Sequence, residues 1–519
     1  MIMSTLTKSL KQTMAAVMLA ALPTAAWAQQ TVPPAGASGQ ALPLSMDQAV
    51  QMALETNLGL KAERLDVDVA AHSIAIARSA FLPQVTSTIR NRNAKSLPTD
   101  FTQGSSDISS NGVTVSGSVS QVMPWYGGSY SATWQGSRTT QSGGFSAFNP
   151  NLGSFLQLGY TQPLLSGFRT DAFRVNLQNA ERRRAIADIQ LEQRIVLTET
   201  AVRQRYLGLV AAIEGLKVAE QNFKIAQDSL TQSRARVGVG QSPQIEIIQA
   251  EAQVASNQVG VIAAQAEIST AEDLLRELIM DPARPDYWTV RLSPTDQIQL
   301  TPREIDVEAA VKNALATRLD LVALKRDLEI TDLNLKLSQD LARPSVDLNL
   351  QYSAQGTAGT LLEFGSGFPP PIVSRSTRSF GGALSDTFLN AYPTWSVGVT
   401  VAYPFGRTAA EASYAQAQVQ KRQQEINIRA RELQIQREVR DAARLVQNSF
   451  QRVQAARAAR EASETQLAAE ERRNTVGLST TLDLQIRQRD LAQARIIELN
   501  AMIQYNQALI NFDRVQKTN

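Results

Sequence analysis

The sequence predicts an internally duplicated α+β membrane protein. Long antiparallel coiled-coil helices run into β-strands that only a transmembrane barrel shared between identical copies can close. Three observations predict this. Arg169–Val237 is free of proline and keeps a seven-residue apolar beat. The chain restarts at Ala310 in the image of Ala49. Between the helical stretches lie two zones of short alternating segments rich in Thr, Ser, Gly, Val and aromatics, Gln84–Gln162 and Ser345–Tyr403.

The beat runs Ile195, Val202, Leu209, Leu216, Phe223, Leu230, Val237. Three residues after most of these stands a small one: Thr198, Ala212, Ala219, Ala226 and Ser233, with Arg205 the exception. A sustained seven-residue beat marks a coiled coil, and large residues alternating with small ones let two helices approach closely. At ~1.5 Å per residue such a helix is roughly 100 Å long, far beyond the mean globular helix. No ordinary core covers that rod, so it has to pack beside other rods.

Composition narrows the class. Of the 519 residues, 43% are hydrophobic and 19% charged, so the chain is not disordered as a whole. The formal charge is +3, with Lys8 and Lys11 inside an N-terminal signal, which leaves a nearly neutral mature chain and argues against nucleic acid. There is no cysteine, which excludes disulfides, thiolate metal sites, cysteine nucleophiles and a lipid-modified N-terminal cysteine. A single histidine, His72, cannot form a histidine cluster within one chain and reads as a surface or packing residue. No nucleophile–base–orienter set, phosphate loop or metal-ligand spacing stands out; no cofactor or metal is implied and no enzyme is indicated.

Residues 1–28 read as a secretory signal: basic Lys8 and Lys11, apolar Met14–Leu22, and Ala26-Trp27-Ala28 before Gln29. Residues 29–43, rich in Pro, Gly, Ala and Gln, are expected to be flexible. No later run of 18 apolar residues occurs, so entry into a membrane has to be by strands of a closed barrel.

Repeat one spans 44–281. Ser45–Ala80 has helical periodicity (Val50, Leu54, Leu58, Leu65, Val69, Ile76), with Ser45 as cap and Pro83 as stop. Alternation then predicts strands at Gln84–Asn93, Gly112–Val122, Ser129–Arg138 and Gly153–Gln162. Trp125, Tyr126, Tyr130, Trp134, Phe155 and Tyr160 border them, as in the girdle of an outer-membrane barrel. An ordinary soluble β-domain fits the local pattern equally well. Pro163-Leu164-Leu165-Ser166-Gly167 leads into the long helix, which Gly238 ends. Ser242 as cap and Pro243 as first helical residue open a second helix to about Met280.

Residues 282–304 form a proline-rich inter-repeat linker, and repeat two spans 305–519. Ala49–Pro83 aligns without a gap to Ala310–Pro344: Ala310, Val311, Ala314, Leu315, Thr317, Leu319, Leu321, Ala323, Asp327 and Pro344 restate their counterparts. Strands Ser345–Ala354 and Thr394–Tyr403 follow, separated by a long Gly/Pro/Ser loop. A second proline-free helix, Arg407–Val476, ends at Gly477, and a last helix covers about 481–516. Each half supplies one core strand pair, too little to close a barrel with a lumen, so cyclic association of several copies satisfies sheets and rods together.

The order of elements, the duplication, the Pro-Leu-Leu-Ser-Gly and Tyr403-Pro404-Phe405-Gly406 junctions, and the paired turns Arg236–Ile248 and Asn474–Ile486 resemble the TolC family of bacterial outer-membrane efflux ducts. The resemblance covers about Leu44 to Gln516. It implies a homotrimer whose twelve-stranded outer-membrane barrel continues into a periplasmic helical tunnel with an equatorial belt. It also implies helix-turn tips that dock a periplasmic adaptor and, through it, an inner-membrane transporter, for efflux or type I secretion. On that resemblance the tip contacts are Gly238, Val239, Gly240, Gln241, Ser242, Gly477, Leu478, Ser479 and Thr480. Asp483, matched to Gln244 in repeat one, reads either as a capping-box acid or as an acidic ring gating the tunnel mouth. The sequence departs from the family pattern in an extra hairpin, about Gly112–Arg138. An extracellular excursion, a periplasmic flap and two further barrel strands are all open to it. The rival functions are a pore-free periplasmic coiled-coil spacer and a secreted carbohydrate-active enzyme on a helical stalk.

Overall fold

A computed structural model describes residues 41–97, 107–142, 146–296, 300–367, 370–403, 405–406 and 408–517. The expected signal over residues 1–28 lies outside the described residues, as do residues 29–40, Pro404 and Arg407. In chain order the elements of repeat one are β1 (Ala41–Leu44), α1 (Met46–Thr56), α2 (Leu58–Ser79), β2 (Gln84–Ser96), β3 (Ile108–Val122), β4 (Ser129–Ser142), β5 (Phe148–Pro163), α3 (Ala172–Gly238) and α4 (Ile245–Ile279). After β6 (Arg291–Pro294) come α5 (Val307–Thr317), α6 (Leu319–Leu341), β7 (Ser345–Phe364), β8 (Ile372–Arg378), α7 (Phe380–Phe388), β9 (Pro393–Ala402), α8 (Ala409–Thr475) and α9 (Thr481–Lys517).

The rods α3 and α8 are each 67 residues long, about 100 Å at the helical rise. Both open on side-chain caps. Asp171 accepts from the backbone N–H of Phe173 and Arg174, and Thr408 forms a capping box with Glu411. Two apolar cores hold the rods in place. Val202, Tyr206 and Leu209 of α3 pack with Ala49, Ala53, Leu275 and Ile279. Ile435, Val439, Ala443 and Val446 of α8 pack with Ala314, Leu321, Tyr505 and Phe512.

The duplication is visible in the elements: α1 and α2 have their images in α5 and α6. The expected single helix over Ser45–Ala80 is broken, however. Asn57, at ψ 120°, leaves the helical region and accepts from the Leu60 N–H to cap α2. Its counterpart Arg318 breaks the second copy in the same place. Residues 41–43, expected to be flexible, enter β1, which pairs in parallel with β6 of the linker from Ala41↔Arg291 to Leu44↔Pro294. The linker is thereby tied to the waist of the rods. The Tyr206 hydroxyl donates to the Leu44 carbonyl at 2.9 Å, and the Tyr505 hydroxyl to the Thr301 carbonyl at 2.8 Å.

One antiparallel sheet runs β2-β3-β4-β5-β7, with β9 pairing one end of β7 and β8 the other. The long Gly/Pro/Ser loop expected between the two strands of repeat two is not all loop. It carries β7 beyond Ala354, then β8, and the short helix α7. Gly356 makes α7 fit: a Cβ there would meet the Ala383 backbone oxygen at 2.0 Å. Small residues on a strand allow such close approach of another backbone but carry no strong periodic signal of their own.

Candidate functional site: the helix tips and the open sheet

The rods end at their far tips in two copies of one turn. At the end of α3, Gly240 takes φ +74°; the Gln241 N–H donates to the Arg236 carbonyl at 2.9 Å and the Gly240 N–H to Val237 at 3.0 Å. At the end of α8, Gly477 also takes φ +74°, with Leu478 N–H to Arg473 at 2.9 Å and Gly477 N–H to Asn474 at 3.1 Å. A left-handed glycine with a bond spanning the last turn terminates a helix and satisfies its orphan carbonyls.

Gly238 does end α3, but it is not the left-handed cap that a glycine at a helix end suggests: that conformation belongs to Gly240. The true equivalence sets Val239-Gly240-Gln241-Ser242 on Val476-Gly477-Leu478-Ser479. Asp483 therefore corresponds to Glu246, not Gln244, and both tips carry an acid in the first turn of the returning helix. The shared Val-Gly-x-Ser was the signal in the sequence that fixes this register.

Ser242 does not cap α4. The residue before its first turn is Gln244, which makes no side-chain capping bond. Asp483 does form the capping arrangement: the Thr480 N–H and hydroxyl both donate to its carboxylate, and its own N–H donates to the Thr480 hydroxyl. Those bonds from Thr480 hold its carboxyl below the ordinary range.

The tips present apolar side chains to solvent. Val239, Ile245, Ile248, Val476, Leu478 and Leu482 are all more than half exposed. Of these, Val239 and Leu478 are among the expected contacts; Ile245, Ile248, Val476 and Leu482 lie inside the paired turns, where no period separates an exposed apolar residue from a packed one. The two turns are joined within the chain. Arg236 donates to the Asn474 side-chain oxygen at 2.6 Å, and Asn474 donates onward to the Ser479 carbonyl at 3.2 Å.

The other functional surface is the sheet. Val85, Val119, Ala132, Leu158, Tyr352 and Trp395 lie side by side across β2, β3, β4, β5, β7 and β9. The adjacent row reads Thr86, Ser118, Thr133, Gln157, Ser353 and Thr394. Successive residues of a strand face opposite sides, so one face of the sheet is apolar and the other polar. The apolar face is left open at both edges: Val85 and Ile89 on β2 are each 75% exposed, and Trp395 on β9 is 74% exposed. Neither β2 nor β9 has a partner on its outer side among the described residues. No helix among the described residues is long and apolar enough to cross a membrane.

Known proteins share this architecture. The family model described as outer membrane efflux protein matches residues 119–279 and 310–515. Outer membrane efflux protein BepC of Brucella suis biovar 1 (strain 1330) is 24% identical over 476 residues, covering 89% of this chain and 83% of that protein. The CmeC outer membrane channel of Campylobacter jejuni has a similar fold, with a TM-score of 0.65 at 15% identity over 91% of this chain and 85% of that one. The open-state MtrE outer membrane channel of Neisseria gonorrhoeae gives a TM-score of 0.62 at 16% identity, over 91% and 89%. With rods, tips and amphipathic sheet in place and the family model matching both repeats, the chain belongs to the outer membrane efflux protein family and is an outer-membrane efflux channel.

Proposed function

We propose that three copies of this chain close their sheets into one barrel in the outer membrane. The rods continue that barrel as a tunnel through the periplasm, and the whole is a passive exit duct powered by an inner-membrane transporter. The observation that carries this reading is the sheet with one apolar face, one polar face and two open edges. An open edge in a membrane leaves backbone groups unsatisfied, and closure alone removes edges. Pairing β9 of one copy with β2 of the next closes the ring, puts the apolar row against lipid and turns the Thr/Ser/Gln row to a water-filled lumen.

The tips are the docking surface for a periplasmic adaptor. Each chain offers two similar turns, one exposing Val239 and Ile245 and the other Val476 and Leu478, beside acidic first turns, so three chains offer six such contacts in a ring. Asp483 and Glu246 lie beside those contacts and set the charge of the tunnel mouth. A photo-crosslinking amino acid placed at Val239 or Leu478 in cells is expected to trap an adaptor. Crosslinks from Trp395 to a second copy but none from either tip to any periplasmic protein would remove the docking assignment and leave the barrel.

A further inference from the structure

The hairpin β3–β4 lies inside the sheet, between β2 and β5, and its placement has a consequence for the pore. We infer that β3 and β4 cross the outer membrane as full barrel strands. Each copy then contributes six strands in sheet order, and, resting on the trimer proposed above, the duct closes on eighteen strands rather than twelve.

The pairing leaves no room for the hairpin elsewhere. β2 bonds to β3 without a break from Gln84↔Ser120 to Ser96↔Ile108, and β4 bonds to β5 from Ser129↔Thr161 to Thr139↔Asn151. β2 and β5 do not touch as a pair. A flap or an extracellular excursion requires them to be neighbours, with β3 and β4 hanging from their ends. The apolar and polar rows cross β3 and β4 in step with the strands on either side, Val119 and Ala132 in one and Ser118 and Thr133 in the other. A hairpin outside the bilayer has no reason to keep that alternation in register. Length agrees: β3 has 15 residues and β4 has 14, against the roughly 9–11 that span a bilayer.

The hairpin is anchored to the rest of the sheet at its turn and midway along β4. Its turn lies at the strand-to-rod junction. Tyr126 stacks on Phe168 with ring centroids 4.9 Å apart, and Gln162 donates to the Tyr126 carbonyl at 2.7 Å. Farther along β4, the Phe380 ring of α7 lies against Gly136, where a Cβ would meet it at 3.1 Å. An element of repeat two thus touches the inserted strand β4 on the face that carries Ala132. Barrel diameter grows roughly linearly with strand number, so eighteen strands give a barrel about one and a half times as wide as twelve.

The chain has no cysteine, so single-cysteine variants report without background. Val119→Cys and Ala132→Cys test the apolar row on the hairpin, and Ser118→Cys and Thr133→Cys the polar row. Leu158→Cys and Gln157→Cys on β5 serve as the matching pair outside it. Each variant is purified from outer membranes and reconstituted into phosphatidylcholine vesicles. The expected result is that fluorophores at 119, 132 and 158 are quenched at least twofold by brominated acyl chains. Positions 118, 133 and 157 are instead labelled by a water-soluble maleimide. Lipid quenching at 158 with none at 119 and 132 overturns the strand count while the barrel stands. No quenching at any of the three overturns the barrel itself.

Discussion

The Arg236 guanidinium at the end of α3 donates to the Asn474 side-chain oxygen at the end of α8, 2.6 Å away. The two residues are far apart in sequence and belong to different repeats, yet they fasten the two tips of one chain together. Asn474 is 7% exposed, so the bond is shielded from water. Hydrogen bonds to charged groups contribute about 1.5–3 kcal/mol. Asn474→Ala is therefore expected to speed amide exchange in both tip turns by about tenfold or more. Exchange in the waist helices α5 and α6 stays unchanged. Equal rates in the tip turns of variant and parent would show that the bond does not fasten them.

Gly240 and Gly238 are two residues apart and answer oppositely to the same change. Gly240→Ala forces a Cβ into the left-handed region and is expected to cost about 1–2 kcal/mol. Gly477→Ala should cost the same. Gly238 is helical with open space around it, so Gly238→Ala is expected to be stabilising by about 0.5–1 kcal/mol. Tip exchange rates again separate the outcomes, and a penalty at 238 without one at 240 would reverse the register set out above.

Arg318 is fully buried, and it donates to Asp320 at 2.8 Å and Glu438 at 2.7 Å. Removing one partner of a buried ion pair costs about 3–5 kcal/mol, so Arg318→Ala should unfold the waist of repeat two first. Burial pushes the Asp320 carboxyl up, but bonds from Arg318 and Arg431 outweigh it and hold it below the ordinary 3.8. A depressed folded pKa adds stability that is present above the unfolded value and lost as pH falls through the folded one. Stability of the waist should therefore decline below about pH 4, and Asp320→Asn should flatten that decline. A denaturation series between neutral and acid pH checks both.

Tyr206 joins the rod to the β1–β6 belt through the Leu44 carbonyl and the Asp296 carboxylate. The same carbonyl also accepts from the Thr295 N–H at 3.0 Å. Tyr206→Phe keeps the ring in its pocket and leaves that carbonyl satisfied, so the expected loss is only about 0.5–1.5 kcal/mol. Tyr206→Ala empties a fully buried site and should cost about 3–5 kcal/mol. Thermal unfolding of the detergent-solubilised protein distinguishes the two.

The rods, the duplication and the strand zones were legible because each rests on a period: seven along α3, two along β3, and a constant offset between α1 and α5. The details that escaped are set by single contacts. Asn57 and Arg318 break helices through a cap and a buried ion pair that no periodicity records. α7 lies in a stretch of glycine and serine because Gly356 admits its backbone. Gly238 looked like the stop because it comes first, while the bond from Gln241 to Arg236 makes Gly240 the turning point. The exposed Val476, Ile245 and Leu482 escaped because an apolar side chain beside a turn reads the same whether it packs or faces solvent.

The central claim is that this chain completes itself only with identical neighbours in a membrane. Native mass spectrometry of the protein extracted by detergent from the outer-membrane fraction tests it most directly. Three chains in one particle is the result predicted. A stable single chain that remains in solution without detergent would contradict it.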